Sequence, residues 1–189
     1  MNFKQITFTV LIFGFNLYFT EAAVGRALYD FKLNRVACND SGLYGKISCG
    51  ADVITPTLSH IQMSFNTTKE FYPLVKIGFI YGNSKNFLID VTEDFCAFIC
   101  EDKKATITSY FWTVLKDASN FAQGCPFREG ERYFIKDYAL DISNFPAILP
   151  TGDYRVDVNL IDRADNSPIA LIQVFAYIRR KTIAELLWS

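Results

Sequence analysis

The sequence predicts a mainly β fold, an antiparallel two-sheet sandwich or open barrel of about seven strands with one short helical segment. Three observations carry that prediction. Short segments alternate apolar and polar residues, the repeat of a half-buried strand. Polar turns with Gly, Asn, Asp or Pro separate them. Aromatic residues are abundant, with 18 Phe, 10 Tyr and 2 Trp. Strands favour such rings, and wide apolar cavities are lined by them, so composition alone does not choose between a filled core and a hollow one.

The first element is not a strand. Lys4 precedes an apolar run from Ile6 to Phe19, and Thr20 and Ala22 fit the small-residue positions of a cleavage site. This is the pattern of a secretory signal peptide over residues 1–22, and the run is short for a bilayer span. Cleavage after Ala22 leaves residues 23–189 as one domain.

Leu28–Ala37 then reads as a strand, with Phe31 and Leu33 opposed to Asp30, Lys32 and Asn34. Thr57–Asn66 alternates Ile61, Met63 and Phe65 against His60, Gln62 and Ser64. Leu74–Tyr81 and Phe87–Val91 flank Gly82-Asn83-Ser84-Lys85, a hairpin signal. Tyr133–Tyr138, Asp153–Ile161 and Ile169–Ile178 complete the set. The polar loop Asp162–Pro168 makes the last two an antiparallel hairpin. The helical exception is Phe95–Leu115, where apolar residues recur near a 3.6-residue period. Asp94 is placed to cap it, and a break is expected near Glu101–Lys104. The β-branched Thr106, Ile107 and Thr108 weaken it.

Several function classes are excluded or disfavoured. The chain carries 19 basic and 20 acidic residues, so no electrostatic footprint for nucleic acid exists. Arg179, Arg180 and Lys181 form one short basic cluster, read as a solvated end rather than a contact with anionic headgroups. His60 is the sole histidine and falls on the polar face of its strand. A Ser-His-Asp or Cys-His site is therefore improbable, and no metal site, cofactor or enzymatic activity is expected. The five cysteines are Cys38, Cys49, Cys96, Cys100 and Cys125. Their spacing lacks a paired zinc knuckle. In an oxidising compartment some pair, and an odd count leaves one over. Asn39-Asp40-Ser41 and Asn66-Thr67-Thr68 are acceptor sequons beside polar turn residues, so Asn39 and Asn66 are expected glycan sites on surface loops.

Alternation turns Phe65, Ile77, Phe79, Tyr154, Val156, Val158 and Phe175 toward the space between sheets, and the helical stripe adds Phe111. These residues either wall a cavity or fill a tight core.

Three blocks then carry a resemblance: Asp94-Phe95-Cys96, Cys125-Pro126-Phe127-Arg128-Glu129-Gly130, and Leu149-Pro150-Thr151-Gly152-Asp153-Tyr154-Arg155. In order, after a signal peptide, they resemble the GM2-activator-like members of the MD-2-related lipid-recognition fold. More narrowly, the chain resembles the insect chemosensory B (CheB) proteins and the large insect family around them. The resemblance implies a β-cup, two splayed antiparallel sheets with an apolar cavity between them. It implies binding, extraction or presentation of a lipid, and in the insect branch perception of chemical cues, including pheromones. It implies a Cys96–Cys125 bridge. In the family the first cysteine bridges to the last strand, but the matching position near Ala170 or Leu171 holds no cysteine. Cys38 must then pair elsewhere, Cys49 is the near partner, and Cys100 is left over.

The leading expectation is thus a secreted, non-enzymatic carrier of a lipid or hydrocarbon. The competing one is an extracellular accessory protein of a membrane receptor or channel, in which the cavity is vestigial.

Overall fold

The computed structural model describes residues 28–55, 58–82, 84, 87–101, 109, 112, 115–139 and 149–188. The signal-peptide reading of residues 1–22 and the placement of Phe111 lie outside them.

Among the described residues there are eight strands: β1 (Tyr29–Asp40), β2 (Gly45–Thr55), β3 (Leu58–Thr67), β4 (Pro73–Tyr81), β5 (Phe87–Asp94), β6 (Arg132–Ala139), β7 (Gly152–Asp162) and β8 (Pro168–Arg180). They form a five-stranded sheet in the order β1-β8-β7-β4-β5 and a three-stranded sheet in the order β2-β3-β6. Every pairing is antiparallel. The expected β7–β8 hairpin forms, with Asp162 N–H donating to Ser167 O at 2.9 Å.

The strand that sequence reading missed is β2. Its inward residues Ile47, Cys49 and Ala51 are small or isolated between glycines and polar residues, so the alternation is faint. Gly45 opens it with φ 139°, and a Cβ there would lie 2.0 Å from Asn66 O. A side chain at that position would collide with β3, so glycine is what permits the pairing.

The helical interruption is real in its first part. Helix α1 spans Phe95–Glu101, and Ser109, Trp112 and Leu115 are also helical. Asp94 caps α1 by accepting from Ala97 N–H at 3.1 Å, satisfying one of the donors that a helix start leaves unpaired. A second helix, α2 (Ile183–Trp188), follows β8.

Two disulfides are present, Cys38–Cys49 and Cys96–Cys125. The first links β1 of the large sheet to β2 of the small one. Cys38 faces Ile172 across the β1–β8 pair, so the last strand offers an aliphatic side chain where a cross-strand bridge would need sulfur. The Cys100 side chain lies outside the described part.

One end of the inter-sheet space is filled by rings. Phe127 stacks on Tyr133 with centroids 4.0 Å apart. Phe71 meets Tyr44, Phe127 and Phe65 at 5.5, 5.3 and 5.9 Å. Phe71 is 1% exposed. Polar groups at this end are paired: Tyr44 O–H donates to buried Asp162 at 3.0 Å, and Thr67 O–H donates to Glu131 O at 2.9 Å.

Candidate ligand-binding cavity

Beyond the rings a partly open cavity of about 250 Å³ lies between the sheets. The large sheet supplies one wall. β4 contributes Val75, Ile77 and Phe79, and β7 contributes Tyr154, Val156 and Val158. Register aligns them, with Ile77 opposite Val158 and Phe79 opposite Val156. β8 extends the wall through Ile172, Val174, Ala176 and Ile178. The small sheet answers with Ile61 and Met63 of β3 and Ile135 and Tyr138 of β6. Phe95, Phe98, Trp112, Leu115, Phe121 and Phe127 close the side toward the ring cluster.

The burial pattern of β7 records the hollow. Inward Val156 and Val158 are only half-buried, whereas outward Asp157 is buried. Asp157 is held there by Arg155, 2.9 Å away, and by Gln173, whose amide donates at 3.0 Å. Two aliphatic side chains on the core face remain accessible because the facing sheet does not reach them.

Among the described lining residues none is charged. Two phenols near the wall, those of Tyr154 and Tyr29, are hydrogen-bonded to backbone. Tyr154 O–H donates to Pro150 O at 2.7 Å. Burial, with Tyr81 and Tyr29 nearby, pushes its pKa up to about 12. Tyr29 accepts from Leu149 N–H at 3.0 Å. Among the described lining residues there is no carboxylate, imidazole or amine. The chemistry of the cavity is displacement of water from apolar surface.

Of the residues that sequence alternation turned inward, Ile77, Phe79, Tyr154, Val156 and Val158 meet on one wall. Phe65 faces inward too, but it is 2% exposed and packed within the ring cluster, away from the cavity surface. Phe175 requires a correction. It points to the outer face, where the Arg35 guanidinium lies 4.2 Å from its ring centroid. The run Ile169–Ile178 is apolar in both phases, so alternation could not orient it by hydrophobicity. Gln173 and Arg179 share the Phe175 phase and mark it as the outer one. The opposite phase, Ile172 to Ile178, holds no polar residue and builds the wall.

Asn39 and Asn66 are both exposed. They sit near the ends of β1 and β3, not on loops. Asn66 lies on the central strand of the small sheet, between Lys46 and Arg132. The basic cluster is not simply solvated: Arg179 pairs with Asp30 and Glu185, and Lys181 with Asp30 at 3.5 Å. Among the described residues no group of His, Cys, Asp and Glu is arranged to hold a metal, and no helix is long and apolar enough to cross a membrane.

A second hollow, of about 620 Å³, opens on the outer face of the small sheet. It is larger but more open and mixed in lining, with Ser48, Asp52, Gln62, Ser64, Arg132 and Lys136 beside Met63, Phe134 and Ile135. The inter-sheet cavity is the stronger candidate because it is the more sheltered and its described lining is almost wholly apolar, which is what gives a small ligand its binding energy.

Residues 74–156 match the model of a family described as a protein of unknown function, DUF1091. That segment runs from β4 into β7 and contains all three sequence blocks. No curated protein matches the chain. Among solved structures, chicken MD-1 complexed with lipid IVa is similar at 12% identity and a TM-score of 0.41, over 82% of this chain and 99% of that one.

Proposed function

We propose that this chain is a secreted, non-enzymatic protein that binds and carries a lipid or long-chain hydrocarbon between its sheets. One observation carries the reading: a partly sheltered cavity between the sheets whose described lining is uncharged and almost wholly apolar. Each methylene moved from water onto such walls contributes about 0.8 kcal/mol, so a hydrocarbon chain binds without covalent chemistry. The signal-peptide pattern of residues 1–22, with residues 23–189 as the mature domain, supports an extracellular setting, and two disulfides fit an oxidising compartment. Asn39 and Asn66 are the glycan sites in this reading. Phe95, Phe98, Trp112 and Leu115 line the cavity, and in this reading the segment from Phe95 to Leu115 is the candidate gate. A role in insect chemosensation, including pheromone perception, rests on the motif resemblance.

The test is mass spectrometry of an organic extract from protein purified out of a eukaryotic secretion host, which should yield a co-purified hydrophobic ligand. Phe79→Ala should then weaken lipid binding more than it lowers the melting temperature. If folded, disulfide-intact protein binds no fatty acid, glycolipid or hydrocarbon at micromolar concentration, the reading fails. The accessory-protein reading then takes its place, to be tested by crosslinking to membrane receptors.

A further inference from the structure

We infer that the cavity takes one uncharged hydrocarbon chain to a depth of about ten carbons and leaves any polar end outside. The inference rests on the carrier function proposed above and narrows its ligand.

Volume sets the depth. A cavity of about 150 Å³ holds the six carbons of benzene. By the same scale, the 250 Å³ between the sheets holds on the order of ten carbons. The two long chains of an ordinary membrane lipid need several times that space.

Lining sets the charge. Among the described lining residues no side chain is ionised, and the phenol oxygens of Tyr154 and Tyr29 are already hydrogen-bonded to the Pro150 carbonyl and the Leu149 amide. A carboxylate or phosphate drawn inside would lose its water and meet no opposite charge among the described lining residues, which is strongly disfavoured. The headgroup is thus not read by the cavity wall.

Packing sets the stop. Phe95, Phe121 and Phe127 belong both to the cavity lining and to the ring cluster beyond it. The inner end of the chain meets these rings and goes no further.

The experiment is displacement of the neutral fluorophore N-phenylnaphthylamine from the disulfide-intact protein by straight-chain alcohols, hexanol to hexadecanol. Affinity should rise roughly fourfold per methylene and level off near decanol. Decanoic acid and methyl decanoate should match decanol within a few-fold, and dioctanoyl phosphatidylcholine should compete far more weakly. Ala176→Leu, which adds three carbons to the wall, should move the plateau to shorter chains. Ile178→Ala should move it to longer ones. If affinity climbs steadily to hexadecanol, if acid and alcohol differ more than tenfold, or if the two-chain lipid competes as well as decanol, the single-chain assignment is overturned while carriage stands. If neither the fluorophore nor any alcohol binds, carriage itself is overturned.

Discussion

The two ends of the inter-sheet space are built from different side chains, and one is filled while the other is hollow. At the filled end Tyr44, Phe71 and Phe127, carried between strands, pack with Phe65 of β3 and Tyr133 of β6. In the hollow, the facing side chains of β4, β7 and β8 are mostly Val, Ile and Ala. Packed sheets lie about 10 Å apart. At the filled end, rings carried by the segments between strands occupy that distance, whereas Val156 and Val158 in the hollow stay half-buried. The difference lies in what those segments insert between the sheets. The lesson is that a cavity and a core can share one strand pattern and differ in the side chains brought in from outside it.

The sharpest way to break this comparison is a matched pair of truncations. Phe71→Ala at the filled end should cost about 3–5 kcal/mol, because the neighbouring rings cannot collapse into the space left. Val158→Ala in the hollow should cost about 1 kcal/mol or less, since its methyl groups already face open space. Urea denaturation of both variants measures the difference, and equal losses would mean the hollow is packed in solution.

The disulfides extend the contrast. Cys96–Cys125 fastens the filled end and closes a separation of 29 residues, so replacing both with Ser should cost about 3.6 kcal/mol by chain entropy. Cys38–Cys49 closes a separation of only 11, for which the same relation gives about 2.8 kcal/mol. Cys49, however, lines the cavity. Its loss should disturb binding of an apolar fluorophore more than loss of the longer bridge does. Paired melting curves and fluorophore titrations decide this, and the opposite ranking in binding would detach the bridge from the cavity.

How much of this was legible beforehand follows from the same physics. Strands with one polar face were readable, as β3 and β7 were, because alternation there separates inside from outside. β8 was readable as a strand but not as an oriented one. Both its phases are apolar, and only Gln173 and Arg179 betray the outer face that Phe175 shares. β2 escaped notice because glycine and small residues leave too little contrast. Ile77, Phe79, Tyr154, Val156 and Val158 could be placed on an inward face, but not told apart from Phe65. All six face the inter-sheet space, and what differs is that Phe65 is covered by the Phe71 and Phe127 rings, which lie between strands. That depends on residues distant in sequence, which no local period encodes.

A smaller effect is expected at Asp94, which caps α1 beside the filled end. Burial alone would raise its pKa, but the Ala97 amide, the hydrogen bond and charge of Arg163, and the Cys96 amide outweigh that and hold it below its ordinary value of 3.8. A depressed carboxylate contributes stability above its unfolded pKa and loses it on acidification. The contribution should be complete above 3.8 and fade as the pH falls below that value. Asp94→Ala should cost about 1 kcal/mol at neutral pH, as loss of a cap does, and should erase that acid dependence. A variant as stable as the parent in denaturant titration would remove Asp94 from the account.

The smallest effect belongs to the far end, where α2 begins. Thr182 and Glu185 form a reciprocal cap. Glu185 accepts from Thr182 N–H at 2.8 Å and from its hydroxyl at 3.0 Å, while Glu185 N–H donates to the Thr182 hydroxyl at 3.3 Å. Arg179 adds a contact at 2.8 Å. The Thr182 amide first, then Arg179 and the Thr182 hydroxyl, bring the Glu185 pKa from 4.5 down to about 2. The sign is that of a depressed acid: the cap is fully present above 4.5 and is lost as the pH falls toward about 2. The observable is local, because Leu186 N–H donates to Thr182 O at 3.1 Å within this turn. Its hydrogen-exchange protection should decline across that window. The Phe71 amide, bonded to Phe127 O at 3.0 Å at the filled end, should keep its protection through the same window. Glu185→Gln should abolish the window without moving the Phe71 amide. A Glu185 carboxyl that titrates near 4.5 would mean the cap is open in solution, and the six-residue helix would then have no device to hold its first turn.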